Sequence, residues 1–508
     1  MRSLAMLLGA FSFAAILAAH HFADADLWGK LAIGAHVWHF GTVPDHDTLA
    51  FTPVLPHYIE HEWGAGTIFF GVLKYFGPAG LMWLKVILAF GAILAALSVG
   101  RKGDCAWETL LVLAIPAAAC VLLGYVPVIR SHAFTYCFFA VTLLALEEVR
   151  SGKKWPLLVL PPLFLLWSNV HGGFVAGFGA IGVYSVFALS SHRHFRLFLL
   201  VAAGCGAATL INIYGLKFWA YLLPALLNKR PHIAEWAPLP VFSSDVFNPF
   251  RILFAIVLVV LLAGWRRVER KHWPGLVLLG ITAALAWRSR RHAPFFGVAA
   301  LAFAGPYCQA LFLKTATWAP VSFKNYFKPA MAITILYGLL AFWVAMNSLP
   351  QASLDVLAPV GHDPVREVDI LSRAQAKGNL ATPFGWGGYC SWRLMPDIKI
   401  SMDGRYETTF PESTFELNNR FYGKVGADWD QLIRDYSVDY VILEYTEQRL
   451  RPADLAADGY VLIWETPGHS ALLCLPRDAE KLRQTAAGLP PTTIDALDAK
   501  IPNRWWTQ

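Results

Sequence analysis

Residues 2–26 read RSLAMLLGAFSFAAILAAHHFADAD. Behind Arg2 runs an apolar stretch, about Ser3–His21, close to the ~20 residues that one bilayer crossing needs. It ends on two carboxylates, Asp24 and Asp26, in a D-x-D spacing. The same alternation of apolar run and charged loop continues to residue 348. The expected crossings are about Ser3–His21, Ala79–Val99, Trp107–Val126, Ala133–Leu146, Leu157–Val170, Gly173–Leu189, Leu197–Ile213, Ile252–Trp265, Pro274–Trp287, Pro294–Leu313 and Pro329–Met346. Composition agrees. Of 508 residues, 56% are hydrophobic and 15% charged, against about 45–50% and 25% in soluble globular chains. A soluble enzyme, a disordered chain and a disulfide scaffold are excluded. The 7 Cys are scattered, with no CxxC and no metal-ligand spacing.

Charge divides the chain. Residues 1–348 carry 26 Lys+Arg and 13 Asp+Glu, while 349–508 carry 16 and 22. The first part reads as a lipid-embedded body with basic loops (1–348), and the second as an acidic, water-facing domain (349–508). Basic residues concentrate in alternate loops: Arg2, Arg101/Lys102, Arg150/Lys153/Lys154, Arg193/Arg196, Arg266/Arg267/Arg270/Lys271 and Lys314/Lys324/Lys328. The positive-inside rule then puts the N-terminus in the cytoplasm and the C-terminal domain outside. Ile59–Phe76 is apolar enough to cross, but counting it inverts every later loop, so it reads as an interfacial or re-entrant helix. Ser3–His21 has an alternative as a cleaved signal peptide, with small residues at Ala23 and Ala25. Cleavage there breaks the acidic cluster that follows. The basic balance fits phospholipid headgroups and anionic lipids; no basic-aromatic stripe for nucleic acid is present.

The first outer loop, within 22–78, holds six of the 13 acids of the membrane half: Asp24, Asp26, Asp45, Asp47, Glu60 and Glu62. His36, His39, His57 and His61 share it. Carboxylates beside an apolar slab cost desolvation energy unless something uses them. A base here can take a proton from an acceptor hydroxyl, and Asp24 with Asp26 can hold a divalent Mg or Mn through oxygen. The bland alternative is helix capping. Leu27–Phe40 reads as an amphipathic helix with Asp26 as its N-cap. His57 and His61 have the spacing for zinc but lack a third ligand.

Cations on the disfavoured outer side are the second signal. Arg288, Arg290, Arg291 and His292 fall in WRSRRHAPFF, and Arg130 and His132 lie between the third and fourth crossings. Arginine holds phosphate bidentately, so these suit a phosphate at headgroup level. Headgroup snorkelling is the alternative, and it is preferred for Lys217 and Lys229. Lys229, Arg230 and His232 share a long loop.

DADLWGKLAIGAHVWHFGTVPDHDTLAFT followed by HEWGAG resembles the first outer loop of a bacterial group within the GT-C-like polytopic glycosyltransferase superfamily. WSNVHGG (Trp167–Gly173, with His171), INIYGLKFW (Ile211–Trp219), AEW (Ala234–Trp236), WRSRRHAPFF and WGGYCSWRL…SMDGR (Trp386–Arg405) carry the likeness along most of the chain. The resemblance implies a sugar donor on a polyprenyl phosphate and a catalytic acid in the first outer loop. Carried over, that acid is Asp24 or Asp26, with Glu62 as a second acid. Asp47, His61, Arg130, His171, Arg288, Arg290, Arg291 and His292 become substrate-binding candidates. Ala25 stands where the group often has Pro.

Residues 350–508 read as a small α/β domain, with helices at Pro364–Lys377 and Trp429–Tyr436. Strands are expected at Asn379–Thr382, Ile398–Met402, Val438–Leu443, Tyr460–Glu465 and Ala471–Leu475. WGGYCSWRL…DGR is distantly similar to the WWDYG region of the oligosaccharyltransferase catalytic subunit, which helps bind the acceptor peptide. An ordinary strand–turn–helix core is the preferred reading, with Asp403 and Arg405 as candidate acceptor contacts. Cys390 and Cys474 are expected as buried thiols.

The expected fold is thus an α-helical polytopic membrane protein of about eleven GT-C-like spans with an extracytoplasmic α/β domain. The expected function is an inverting membrane glycosyltransferase of the bacterial inner membrane, acting on a cell-envelope glycan, lipid or protein. Membrane lipids and the polyprenyl-phosphate donor are its partners. A non-catalytic assembly protein and a polyprenyl-linked glycan transporter are the alternatives. Nearly charge-free spans, Lys85 excepted, and the absence of an internal repeat disfavour transport.

Overall fold

A computed structural model describes residues 2–496 apart from 57, 104, 127–128, 190, 228–233, 240–247, 319–328, 360–361, 447 and 491–493. His57, Lys229, Arg230, His232, Lys324 and Lys328 lie outside the described residues. The chain forms two compact units, one of Met1–His21 with Met82–Leu354 and one of Phe22–Leu81 with Asp355–Gln508.

The first unit is helical, and the expected crossings overlap helices, Pro294–Leu313 falling across two of them. Four helices are long and apolar enough to span a bilayer: Arg2–Ala19, Trp63–Lys102, His132–Arg150 and Met331–Gln351. Arg290–Phe303 and Gly305–Leu311, bent by 58°, make a fifth if they are one span. Trp107–Leu122, Pro156–Val170, Phe174–Phe187, His194–Thr209, Leu216–Leu226 and Pro249–Gly264 are shorter apolar helices. The protein is therefore a polytopic helical membrane protein. Small residues let these helices approach closely, as packing between apolar helices in lipid requires. At Gly297 of the helix Ala293–Phe303, an added Cβ would lie 3.0 Å from the Ala117 carbonyl oxygen of Trp107–Leu122.

Buried charge in this unit is matched. Lys85 donates from Nζ to the carbonyl oxygens of Leu17 (2.8 Å) and His20 (2.6 Å). It closes the C-terminal end of the first helix, whose last carbonyls have no helical partner. Glu147 and Glu148 end the helix His132–Arg150. Arg150 and Tyr184 hold Glu147, and Lys102 and Lys153 hold Glu148.

The second unit contains a mixed sheet. Its strands, in chain order, are β1 (Leu357–Pro359), β2 (Gly378–Ala381), β3 (Ile398–Ile400), β4 (Tyr440–Glu444), β5 (Val461–Thr466), β6 (Ser470–Cys474) and β7 (Ile494–Ala496). β1 pairs with β7, and the others run in the order β3-β2-β4-β6-β5. β2 is parallel to β3 and β4, while β6 is antiparallel to β4 and β5. Val441, Leu443, Ala471 and Leu473 form the core with Phe421 and Leu432 from flanking helices. The first loop is part of this unit. Ala50 bridges in parallel to Ile400, the Ile400 N–H donates to Leu49 O (2.9 Å), and Phe51 N–H donates to Ile400 O (3.0 Å). The loop thus extends the edge of β3, giving a free strand edge its partner. All seven cysteines are buried and unbridged.

The segment expected as an interfacial or re-entrant helix, Ile59–Phe76, is helical from Trp63. Trp63–Lys102 is two helices that meet at a kink at Gly77 (φ 66, ψ −168), so the first ends before the expected crossing Ala79–Val99. That φ suits glycine, and Pro78 behind it resumes the helix in a position where its missing N–H costs nothing.

Candidate functional site

Two clusters gather the residues singled out in the sequence, one in each unit. The acidic cluster is built on the helix Ala25–Phe40. Asp24, not Asp26, is its N-cap: the Asp24 backbone is extended (φ −89, ψ 149) and its Oδ1 accepts the Asp26 N–H at 3.0 Å. The helix begins at Ala25, earlier than the amphipathic pattern indicates, so capping accounts for the other carboxylate of the pair. Asp26 sits exposed in the first turn, and a Cβ placed on Gly404 would lie 3.3 Å from its Oδ1. The DGR turn therefore lies against this acid.

The glycines of WGGY explain the approach. A Cβ on Gly387 would come within 1.9 Å of the Met402 carbonyl oxygen, and one on Gly388 within 2.9 Å of the Ala25 carbonyl oxygen. Trp28 and Tyr389 meet edge to face, 5.0 Å between centroids. The helix Gly387–Leu394 thus wedges between the DGR turn and the first turn behind Asp24.

Behind the acids lies a buried ionic network. Lys30 Nζ is 2.7 Å from Glu60 Oε1 and 3.0 Å from Glu62 Oε2, and the Tyr58 hydroxyl donates to Glu60 Oε2 at 3.1 Å. Burial opposes the charge on Lys30, but Glu60 and Glu62 outweigh it and raise its pKa. Burial likewise opposes ionisation of Glu60, and Lys30 holds its carboxyl below the usual range. Asp47 caps its own loop by accepting the Leu49 and Ala50 N–H groups at 3.1 and 2.8 Å, and pairs with Arg405. Arg405 Nε also lies 2.9 Å from both Asp403 oxygens. The side chains of Asp403, Arg405 and Asp47 are almost wholly buried, so the candidate acceptor contacts Asp403 and Arg405 fasten the loop to the turn. His61 Nε2 lies 3.8 Å from Glu62. Among the described residues no three His, Cys, Asp or Glu come together to hold a metal. Asp24 and Asp26 offer a magnesium-type ion only part of a shell, the rest being left to substrate and water oxygens.

The sequence reading missed Lys30, whose link to Glu60 and Glu62 spans a loop. It also missed His362. Its ring lies 3.2 Å from Asp363, and that hydrogen bond, outweighing burial, raises its pKa with smaller help from Asp24 and Glu444.

The second cluster lies in the helical unit, where three of the quoted motifs converge. Arg291 Nη2 is 3.4 Å from His132 Nδ1 and 3.5 Å from His171 Nε2, and its guanidinium lies over the Trp236 ring at 5.4 Å. Tyr136 OH donates to the Arg291 carbonyl oxygen at 2.9 Å. Arg130 pairs with Glu235, and burial of Glu235 is outweighed by Arg130 and Arg291, which lower its pKa. The Ser289 hydroxyl donates to Glu235 O (3.1 Å) and Arg290 N–H to Ala237 O (3.3 Å), pinning AEW to WRSRRH. His292 faces Trp236 at 6.0 Å and stacks on Phe295. Arg288 and Arg290 are exposed instead of joining Arg291. Glu235 and Trp236 were absent from the expected site; the AEW string was the signal for them.

No family model and no curated protein matches this sequence. Solved structures do. The oligosaccharyltransferase of Archaeoglobus fulgidus, tethered to an acceptor peptide containing the NVT sequon, aligns over 87% of this chain and 69% of its own, at 12% identity and TM-score 0.58. The Archaeoglobus fulgidus oligosaccharyltransferase AglB, in complex with an inhibitory peptide and a dolichol-phosphate, gives the same coverage and TM-score at 13% identity. Arabinofuranosyltransferase AftD from Mycobacteria aligns over 94% of this chain at 14% identity and TM-score 0.55, and this chain spans only 40% of its length. The chain therefore shares its fold with these solved structures.

Proposed function

We propose that this protein is a membrane glycosyltransferase that moves a sugar from a polyprenyl-phosphate donor to an extracytoplasmic acceptor in the cell envelope. The observation that carries the reading is a GT-C-like fold in which Arg291, His171 and His132 converge as an anion-ready cluster. Asp24 or Asp26 takes the proton of the acceptor hydroxyl. The freed oxygen bonds to the anomeric carbon as the bond from that carbon to the phosphate oxygen breaks, with inversion. The departing phosphate keeps the electron pair as its charge grows. Asp26, exposed and not the capping residue, is the better placed base; Asp24 shapes the turn. Glu62 acts through Lys30, by holding the loop that carries the acids. A Mg or Mn ion on Asp24 and Asp26 would supply a Lewis acid. The proposed location is the bacterial inner membrane, with the N-terminus cytoplasmic and Asp355–Gln508 outside; 1–348 and 349–508 are its membrane and soluble parts.

The test uses the full-length protein in detergent. Lipid that co-purifies is identified by mass spectrometry, and release of a radiolabelled sugar from a polyprenyl-phosphate carrier is followed for wild type, Asp24→Asn and Asp26→Asn. A polyprenyl phosphate in the preparation and loss of release in Asp26→Asn are expected. Full release in both single variants overturns the assignment of the base and favours a non-catalytic assembly role for the loop.

A further inference from the structure

The turn Asp403–Gly404–Arg405 presents its middle residue to Asp26, in the first turn of the helix Ala25–Phe40. Its two outer residues are locked. Asp403 and Arg405 are buried, the Arg405 N–H donates to Asp403 Oδ1 at 3.0 Å, and Asp47 holds the Arg405 guanidinium from the loop. The backbone leading into the turn is locked as well. The Met402 carbonyl oxygen accepts from Thr382 Oγ1 at 3.0 Å, and Thr52 Oγ1 donates to the Ser401 carbonyl oxygen at 2.6 Å. Of the three turn residues, Gly404 is the exposed one.

Neither the backbone nor the packing demands a glycine at this position. Its φ lies outside the left-handed region, so an ordinary residue fits the chain there. Gly387 is different, because a Cβ there strikes the Met402 carbonyl oxygen at 1.9 Å. Among the described residues, a Cβ on Gly404 would have one atom within 4 Å, the Asp26 Oδ1 at 3.3 Å. What the missing side chain preserves is therefore the space beside the Asp26 carboxylate, and Asp26 is itself exposed. A hydroxyl that donates to a carboxylate sits about 2.5–2.7 Å from its oxygen. A methyl fixed at 3.3 Å intrudes on the same shell, and a longer side chain fills what lies beyond it. The turn cannot back away, since both its flanks are buried and tied.

We infer that Gly404 is a specificity-determining residue: the acceptor passes over the DGR turn at this glycine to bring its hydroxyl to Asp26, and the side chain at 404 sets how large an acceptor the site admits. This rests on the reading of Asp26 as the base, and it adds the wall that the acceptor must pass. Asp403, Arg405 and Asp47 hold that wall in place without touching the acceptor.

The experiment uses the detergent-solubilised full-length protein as wild type, Gly404→Ala, Gly404→Val and Gly404→Leu, with monodispersity and Tm recorded for each. Tm should stay at the wild-type value. A collapse of Tm already in Gly404→Ala shows that packing demands the glycine, and overturns the inference. The first arm measures the space. Carboxylates are coupled to glycine ethyl ester with a water-soluble carbodiimide, and peptide mass spectrometry reads Asp26 against Glu416, which is exposed on the helix Glu412–Gly423. Asp26 should couple in wild type, less in Gly404→Ala and severalfold less in Gly404→Leu. Unchanged coupling in folded Gly404→Leu, or none in wild type, overturns the inference. The second arm follows transfer of a radiolabelled sugar from a polyprenyl-phosphate carrier to methanol, glycerol and methyl glucoside. Transfer to methyl glucoside should fall in the order Ala, Val, Leu, while transfer to methanol changes least. Equal loss with all three alcohols marks a structural role and overturns the gate. Wild type that couples at Asp26 yet transfers to none of the alcohols sinks the proposed function and takes the acceptor with it. Wild-type transfer that no side chain at 404 alters sinks the inference alone.

Discussion

Replacing Lys30 by Met is the sharpest test of how the first loop is held. Lys30 is 9% exposed, Glu60 is 1% exposed, and the Glu62 side chain is mostly covered. Met keeps most of the side-chain volume and removes a cation that lies within 3.0 Å of both carboxylates. Deleting one member of a buried ion pair costs about 3–5 kcal/mol, because the partner charge is left without compensation. Glu60 also accepts from Tyr58, so its carboxylate cannot swing to water without breaking a second bond. For a cooperative unit of about 150–250 residues, each kcal/mol moves Tm by about 2–4 °C. The expected drop is therefore about 6–20 °C, read by thermal unfolding of the purified protein at pH 7. Adding Glu60→Gln and Glu62→Gln to Lys30→Met should recover most of it, since neutral groups need no counter-ion. A Tm for Lys30→Met within about 2 °C of wild type, or a triple variant worse than the single, would refute the claim that charge compensation holds this loop.

Two further outcomes follow from the same unit. Gly387→Ala puts a methyl 1.9 Å from the Met402 carbonyl oxygen, a backbone atom that cannot rotate aside, so it should cost at least the ~1–3 kcal/mol of core overpacking. Gly385→Ala, with open space around its Cβ, should leave Tm unchanged in the same melt. The folded-state pKa of Glu60 lies below its unfolded value of 4.5, so its contribution is complete above that pH and fades as pH falls through the folded value. Tm measured from pH 7 to pH 3 should therefore decline more steeply below pH 4.5 in wild type than in Glu60→Gln.

The apolar helices were legible because lipid leaves a compositional mark. A segment that spans must be apolar for its whole length, and Lys and Arg must gather at one side. Arg291 was singled out for a related reason, as a cation on the side that the positive-inside rule disfavours, and His171 through the WSNVHGG string. The strands of 378–474 were visible as short apolar runs between turns, each within a few residues of its place. What the sequence could not assign were partners far apart in the chain. Asp26 read as the N-cap from the sequence, but the helix starts at Ala25, which makes Asp24 the cap and leaves Asp26 exposed in the first turn. Asp47, Asp403 and Arg405 read as candidate contacts to substrate, and only the pairing of the loop with β3 turned them toward one another. Glu235, Trp236 and Thr135 gained their meaning from Arg130, Arg291 and His171, which lie 36 to 105 positions away in the cases with hydrogen bonds. Composition acts locally and marks the sequence; ion pairs and donor–acceptor matches depend on which distant segments share a space, and that is decided only when the chain folds.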